Sequence, residues 1–284
     1  MDFSIKKTRR KNKMMIDDRS KISGAKRIVI KVGTSTVTYE NGSIHFQNIE
    51  RLAWEISGLM NQGKEVILVT SGAIGVGVGR LRLPERPVEM GEKQAVAAIG
   101  QCELMNIYSR CFSEYSYMVG QVLLTKDDLD DEITRENITN TFSALLKKRV
   151  LPVVNENDTV STKEILHNGT FGDNDALSAH VAVLMQAEVL IILSDIDALY
   201  DCDPRQNPNA KRLSFVPTVS EELETVAGGS GSNRGTGGMI TKISAMAQAT
   251  QAGIAGVITK GGVKHIIEDI MEGKDVGTFF SAKG

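Results

Sequence analysis

A chain of 284 residues with 33 basic and 35 acidic side chains carries a formal charge of −2, and 41% of it is hydrophobic. That balance argues against a general nucleic-acid binder or a membrane-surface protein, both of which need a basic excess, and points to a small-molecule partner. The length suffices to bury about three quarters of the surface an unfolded chain would expose, as one large α/β domain or as two lobes.

Cys102, Cys111 and Cys202 are odd in number and none is spaced C-x-x-C, so neither a disulfide framework nor a zinc site is expected, and a reducing cytoplasm fits. No apolar run is long enough to span a bilayer, and the first residues lack the apolar core of a secretory signal. Residues 1–24 crowd Lys6, Lys7, Arg9, Arg10, Lys11, Lys13, Arg19 and Lys21 into a stretch with few large apolar side chains. They read as a mobile basic arm, with an organelle-targeting peptide as the other reading, against which Asp2, Asp17 and Asp18 count.

From residue 25 the chain alternates two patterns. Short Val/Ile/Leu runs at 27–32, 66–70, 117–125, 150–155, 189–194 and 255–259 are near-continuous, which predicts strands covered on both faces. Helical periodicity falls between them, at roughly 46–62, 91–114, 132–148, 174–187, 238–253 and 261–272. This alternation predicts a parallel or mostly parallel sheet with helices on both sides, an α/β fold in which ligands sit beyond the carboxyl ends of the strands.

The loops after those strands are rich in chemistry. The first strand is followed by Gly33, Thr34 and Ser35 just beyond Lys31, the second by Ser71, Gly72 and Ala73, the fourth by Glu156, Asn157 and Asp158, and the fifth by Asp195 and Asp197 after Ser194. Any one such loop is weak evidence, since surface loops are polar anyway; four of them following strands carry the case. Lys31 ends an otherwise apolar run, where an unpaired ammonium would be costly unless an anion or an aspartate met it.

At residues 171–182, FGDNDALSAHVA, a polar turn runs straight into an apolar helix. Asp173, Asn174 and Asp175 all stand where that helix opens, and a cap needs only one of them, so chemistry is expected beside or instead of capping. A second glycine-rich stretch, AGGSGSNRGTGGMITK at 227–242, leads into another helix. Its backbone N–H groups could cradle phosphates at the helix start, or residues 227–237 could be a plain linker with Lys242 a surface lysine lying along its own stem. It is not a Walker A motif, nor do residues 72–79 form a dinucleotide fingerprint.

His45, His167, His180 and His265 fall in unrelated contexts, and no Ser-His-Asp or Cys-His set is apparent. Phosphoryl transfer to a carboxylate suits that poverty of bases, because a nucleophile with a pKa near 4 is already ionised at neutral pH. Such a reaction needs positioning and cations around the phosphoryl group, with Mg²⁺ on the nucleotide.

Seven stretches, KVGTS (31–35), VTSGAIGVG (69–77), AVAAIGQ (95–101), NENDTV (155–160), FGDNDALSA (171–179), SDIDALYDCDPR (194–205) and GTGGMITK (235–242), resemble the amino acid kinase family, in the family's order. NEND, FGDND and GTGGM together resemble the members that phosphorylate glutamate. The resemblance covers about residues 25–282 and implies a three-layer αβα sandwich around a mostly parallel sheet. Its amino-terminal half would bind glutamate and its carboxyl-terminal half ATP. By motif match, Ser71, Gly72, Asp158 and Asn174 would bind the amino acid. Lys31 and Lys242 would contact the phosphates, with Asp175 and Asp173 holding the lysines; Ser194, Asp195, Thr236, Gly237, Gly238, Met239, Ile240 and Thr241 would meet the nucleotide. No resident metal site is implied, Mg²⁺ travelling with ATP.

The family also suggests a homo-oligomer, dimer or tetramer, a place in proline biosynthesis and feedback by proline. Many bacterial members continue into a carboxyl-terminal PUA domain, which the sequence to Gly284 does not include, so proline sensitivity is not carried over. Two other functions stay open on the residues: a sibling kinase acting on aspartate, acetylglutamate or a carbamate, and a catalytically silent amino-acid or nucleotide sensor.

Overall fold

The computed structural model describes residues 17–161, 174–220, 223 and 238–283. The first half runs β1 (Arg27–Val32), α1 (Thr34–Val37), α2 (Phe46–Asn61), β2 (Glu65–Thr70), α3 (Ala73–Leu81), α4 (Met90–Ser113), β3 (Val119–Leu124), α5 (Lys126–Asp130), α6 (Glu132–Lys147) and β4 (Leu151–Glu156). The second half runs α7 (Asn174–Leu184), β5 (Val189–Ser194), β6 (Leu199–Tyr200), β7 (Arg212–Leu213), β8 (Phe215–Val216), α8 (Met239–Gln251), β9 (Ala255–Lys260), α9 (Ile266–Met271) and β10 (Thr278–Phe280). No helix among the described residues is long and apolar enough to cross a membrane.

One sheet of eight strands, in the order β3-β4-β2-β1-β5-β9-β10-β8, organises the molecule. All its pairings are parallel except β9 with β10. Side chains of the central strands alternate between two cores, as the period of two requires. Ile28, Ile30, Leu68 and Ile191 enter one core with α2, α4 and α9, whereas Val29, Ile67, Val69 and Ile192 enter the other with α6, α7 and α8. Both faces are therefore covered, which is why these strands read as unbroken apolar runs. Truncating fully buried Ile28 or Ile30 to alanine would cost about 2 to 5 kcal/mol in lost transfer energy and cavity formation. The fold is the α/β sandwich expected, with helices on each face of a mostly parallel sheet.

Several elements depart from the sequence-based expectation. The loop expected after the second strand is cut short, because Ala73 already opens helix α3. Gly72 starts it with φ 102, a left-handed conformation, and a Cβ there would stand 2.9 Å from Val37 Cγ2. Further on, a Cβ at Gly77 or Gly100 would collide with the carbonyl of Val96 or Ala73, so α3 and α4 pack backbone against backbone. The short strands β6, β7, β8 and β10 carry too little pattern to be seen in advance; β10 finds its place by lying antiparallel on β9.

Part of the stretch expected as a basic arm is built into the fold. Residues 1–16 lie outside the described residues, but Arg19–Gly24 form a 3₁₀ helix in which Arg19 and Ile22 are buried. Arg19 donates to Asp17, to Asp275 at 2.6 Å and to the carbonyl of Ser214 at 2.9 Å. Local composition could not reveal partners that lie some 200 residues away in sequence.

Candidate active site

The carboxyl ends of β1, β2 and β4 meet the amino terminus of α7. Lys31, next to last in β1, projects to the face covered by α7 and α8, since Val29 two residues earlier lies in that core. The notional Cβ of Gly33 would stand 3.8 Å from Lys31 Nζ, so the glycine leaves space beside the ammonium. Asp175, in the first turn of α7, is wholly buried, and Lys31 and Lys242 are nearly so.

Lys31 Nζ stands 2.6 Å from Asp175 Oδ1, and Lys242 Nζ 2.9 Å from Oδ2. Thr241 donates to Oδ2 at 3.1 Å and to the carbonyl of Gly238 at 2.8 Å, tying the first turn of α8 to the same carboxylate. Burial alone would raise the pKa of Asp175. The adjacent charge of Lys31, and then that of Lys242, outweighs it and holds the carboxyl well below the usual carboxylate range. The two cations share one carboxylate in a fixed geometry at the carboxyl end of the sheet beside a helix start, where an anionic group is favourably met. Lys242, for which a surface position was one of two readings, is buried.

Beside this charged cluster runs a neutral one. Asn174 Nδ2 donates to Ser71 Oγ at 2.8 Å and to Asn155 Oδ1 at 3.1 Å. Asn155 Nδ2 donates in turn to Gln101 Oε1 at 2.8 Å. Asn174 and Asp175 are consecutive residues, so the start of α7 joins the two clusters.

Lys31, Asp175, Thr241 and Lys242 thus come together around one carboxylate, and Ser71 meets Asn174. Gly72 shapes the turn that carries Ser71. Ser194 is buried at the end of β5 and donates to Asp195 Oδ1 at 2.9 Å. Asp158 is half-buried in the turn after β4. Gly238 caps α8; Met239 opens it half-buried, and the Ile240 side chain is exposed. Asp173, Thr236 and Gly237 lie outside the described residues. Among the described residues no three His, Cys, Asp or Glu side chains gather into a metal-ligand set.

Sequence reasoning gave Gln101 and Asn155 no role of their own, although both fall in the stretches that carry the resemblance. A signal for Gln101 was present, since Ala97, Leu104 and Tyr108 share its face of α4 and are buried, which makes it a polar residue on an apolar stripe. Asn155 closes a buried strand with an amide, a placement that only the partner from α4 explains.

Known proteins are similar to this chain over most of its length. Glutamate 5-kinase of Clostridium perfringens is 55% identical over 265 residues, covering 93% of this chain and 98% of that protein. Glutamate 5-kinase of Listeria innocua is 52% identical with 93% and 96% covered, and that of Clostridium tetani is 49% identical with 95% and 99% covered. Among solved structures, UMP kinase of Bacillus anthracis superposes with a TM-score of 0.61 at 14% identity, covering 92% of this chain and 97% of its own. Carbamate kinase of Giardia lamblia superposes with a TM-score of 0.63 at 16% identity, covering 91% and 99%. These two show the shared fold. Residues 26–260 match the model of the amino acid kinase family, and with relatives this similar over nearly their whole length, the chain belongs to that family.

Proposed function

We propose that the chain transfers the γ-phosphoryl group of ATP to the side-chain carboxylate of glutamate, giving glutamyl 5-phosphate and ADP at the first step of proline biosynthesis. The observation that carries the reading is the buried Lys31–Asp175–Lys242 cluster, set against the Ser71–Asn174 pair in a chain 55% identical to a glutamate 5-kinase.

The chemistry asks for little beyond what these residues supply. A glutamate carboxylate is ionised at neutral pH, so its oxygen attacks the γ-phosphorus without a base while the bond from that phosphorus to the bridging oxygen of ADP breaks. Lys31 and Lys242 offer positive charge to the phosphate oxygens, and Asp175 holds both ammonium groups where charge develops, so they need no reorganisation during the reaction. Ser71, Asp158 and Asn174 orient the amino acid; Ser194, Asp195 and the 236–242 segment meet the nucleotide. Mg²⁺ carried on the nucleotide would add Lewis-acid charge at the phosphates. Cytoplasmic location and homo-oligomeric assembly belong to the same proposal.

A coupled assay of ADP release over a panel of glutamate, aspartate and acetylglutamate tests it. Saturable turnover is expected with glutamate alone; equal turnover with either of the others would sink the assignment.

A further inference from the structure

The polar chain under the active site has a fixed sense, and its anchor is a backbone group. Asn155 Oδ1 accepts from the backbone N–H of Glu156 at 2.9 Å, and that donor cannot exchange roles. The oxygen of the Asn155 amide must therefore face Glu156, which sends its Nδ2 to Gln101 Oε1. The same oxygen also accepts from Asn174, so the Asn174 amide presents its nitrogen to Asn155 and Ser71 and its carbonyl to the opposite side. Amide orientation is usually a matter of choice between two flips; here each is dictated by the one before it.

Two consequences follow for the open ends. Asn174 Oδ1 is shielded from water and has no hydrogen-bond partner among the described residues, nor has Gln101 Nε2. Ser71 Oγ already accepts a proton from Asn174, so its own hydrogen is left to donate elsewhere. A carbonyl acceptor and a hydroxyl donor side by side match the two halves of an α-amino acid head group, ammonium and carboxylate. Leaving a buried carbonyl unmet is unfavourable, and an ammonium N–H would relieve it.

We infer that Gln101, which no motif assigns to the substrate, is a positioning residue: together with the Glu156 N–H it holds the Asn155 amide, and through it the Asn174 amide, so that Oδ1 accepts from the α-ammonium of the amino acid. This rests on the proposed glutamate reading and adds a selectivity device to it. Gln101 is held in place because α3 and α4 meet at Gly100, the residue before it. Removing its oxygen would leave Asn155 Nδ2 buried without an acceptor, so that the Asn155 amide, and with it the Asn174 amide, would be held by the Glu156 N–H alone.

The test compares glutamate with glutarate, the same dicarboxylate without the ammonium, as a competitive inhibitor of the full-length enzyme. Gln101→Met is expected to raise the glutamate KM about tenfold, the loss typical of one hydrogen bond to a charged group, and to leave the ATP KM and the glutarate Ki within about threefold. Gln101→Glu, which keeps an oxygen toward Asn155, should restore most of the glutamate affinity. If Gln101→Met does not fold, Asn155→Ser cuts the chain one link later and gives the same readout. Equal weakening of glutamate and glutarate, or failure of Gln101→Glu to restore affinity, would overturn the inference. Failure of the wild-type enzyme to turn over glutamate would instead overturn the proposed function.

Discussion

Among the described residues two carboxylates, Asp175 and Asp275, stand between two cations, and their surroundings differ sharply. Asp175 lies between Lys31 and Lys242 with its side chain wholly buried, whereas Asp275 lies between Arg19 at 2.6 Å and Arg212 at 2.8 Å with its side chain 56% exposed. At Asp275, hydrogen bonding from Ser214 is the foremost cause that lowers the pKa, with the charges of Arg19 and then Arg212 adding to it. Water and salt screen that cluster, so it fastens the 3₁₀ helix to the segment before β10 and does little else. Around Asp175 the field is unscreened and the lysines are held without solvent, which suits them to a phosphoryl group. Pairing geometry alone does not tell the two apart; burial does.

The sharpest way to break the contrast is to make the same change at both sites. Asp175→Asn removes the carboxylate that the two buried ammonium groups share and should destabilise the protein by about 3 to 5 kcal/mol, read by denaturant unfolding. The pH dependence has a definite sign. Because the folded pKa of Asp175 lies below its unfolded value, its contribution is present above the ordinary carboxylate range and is lost only as pH falls through the depressed value. The variant should therefore lack that acid-side loss.

Lys242→Met keeps the apolar stem and removes one cation. If the ammonium strengthens its hold as charge moves to the leaving oxygen, kcat should fall on the order of a hundred- to a thousandfold, roughly 3 to 4 kcal/mol, with substrate KM values little changed. A rise in the ATP KM at unaltered kcat would make Lys242 a ground-state anchor.

Asp158, half-buried, stands between the two carboxylates in exposure and so in expected effect. On the proposal that its carboxylate meets the α-ammonium of glutamate, Asp158→Ala should raise the glutamate KM by roughly 2 kcal/mol, the lower end for a charged pair that loses one member, and leave the ATP KM near wild type. Equal weakening of both would make Asp158 structural.

The surface cluster should respond least. Deleting residues 1–22 removes Ile22 and the Arg19 anchor, and a melting curve should show a loss of about 2 kcal/mol with turnover within a few-fold. Asp275→Asn should cost about 1 kcal/mol or less and become undetectable at high salt. A loss as large as that of Asp175→Asn would mean that exposure is no guide to these pairs.

What the amino-acid sequence determined by itself was periodicity and punctuation. The Val/Ile/Leu runs at 27–32 and 189–194 coincide with β1 and β5 because a strand buried on both faces admits almost nothing else. Lys31 stood out as a charge ending a buried run, which needs a partner, and Asp175 as one of three polar residues where a helix cap needs one. Tertiary structure decided who the partners are. That Lys31, Asp175 and Lys242 share one carboxylate, that Gln101 reaches Asn155, and that Arg19 docks on Asp275 are contacts between elements 54 to 256 residues apart. Local propensity decays within a few residues, and only the register of the parallel strands and the packing of helices on them bring such distant side chains within a hydrogen bond of one another.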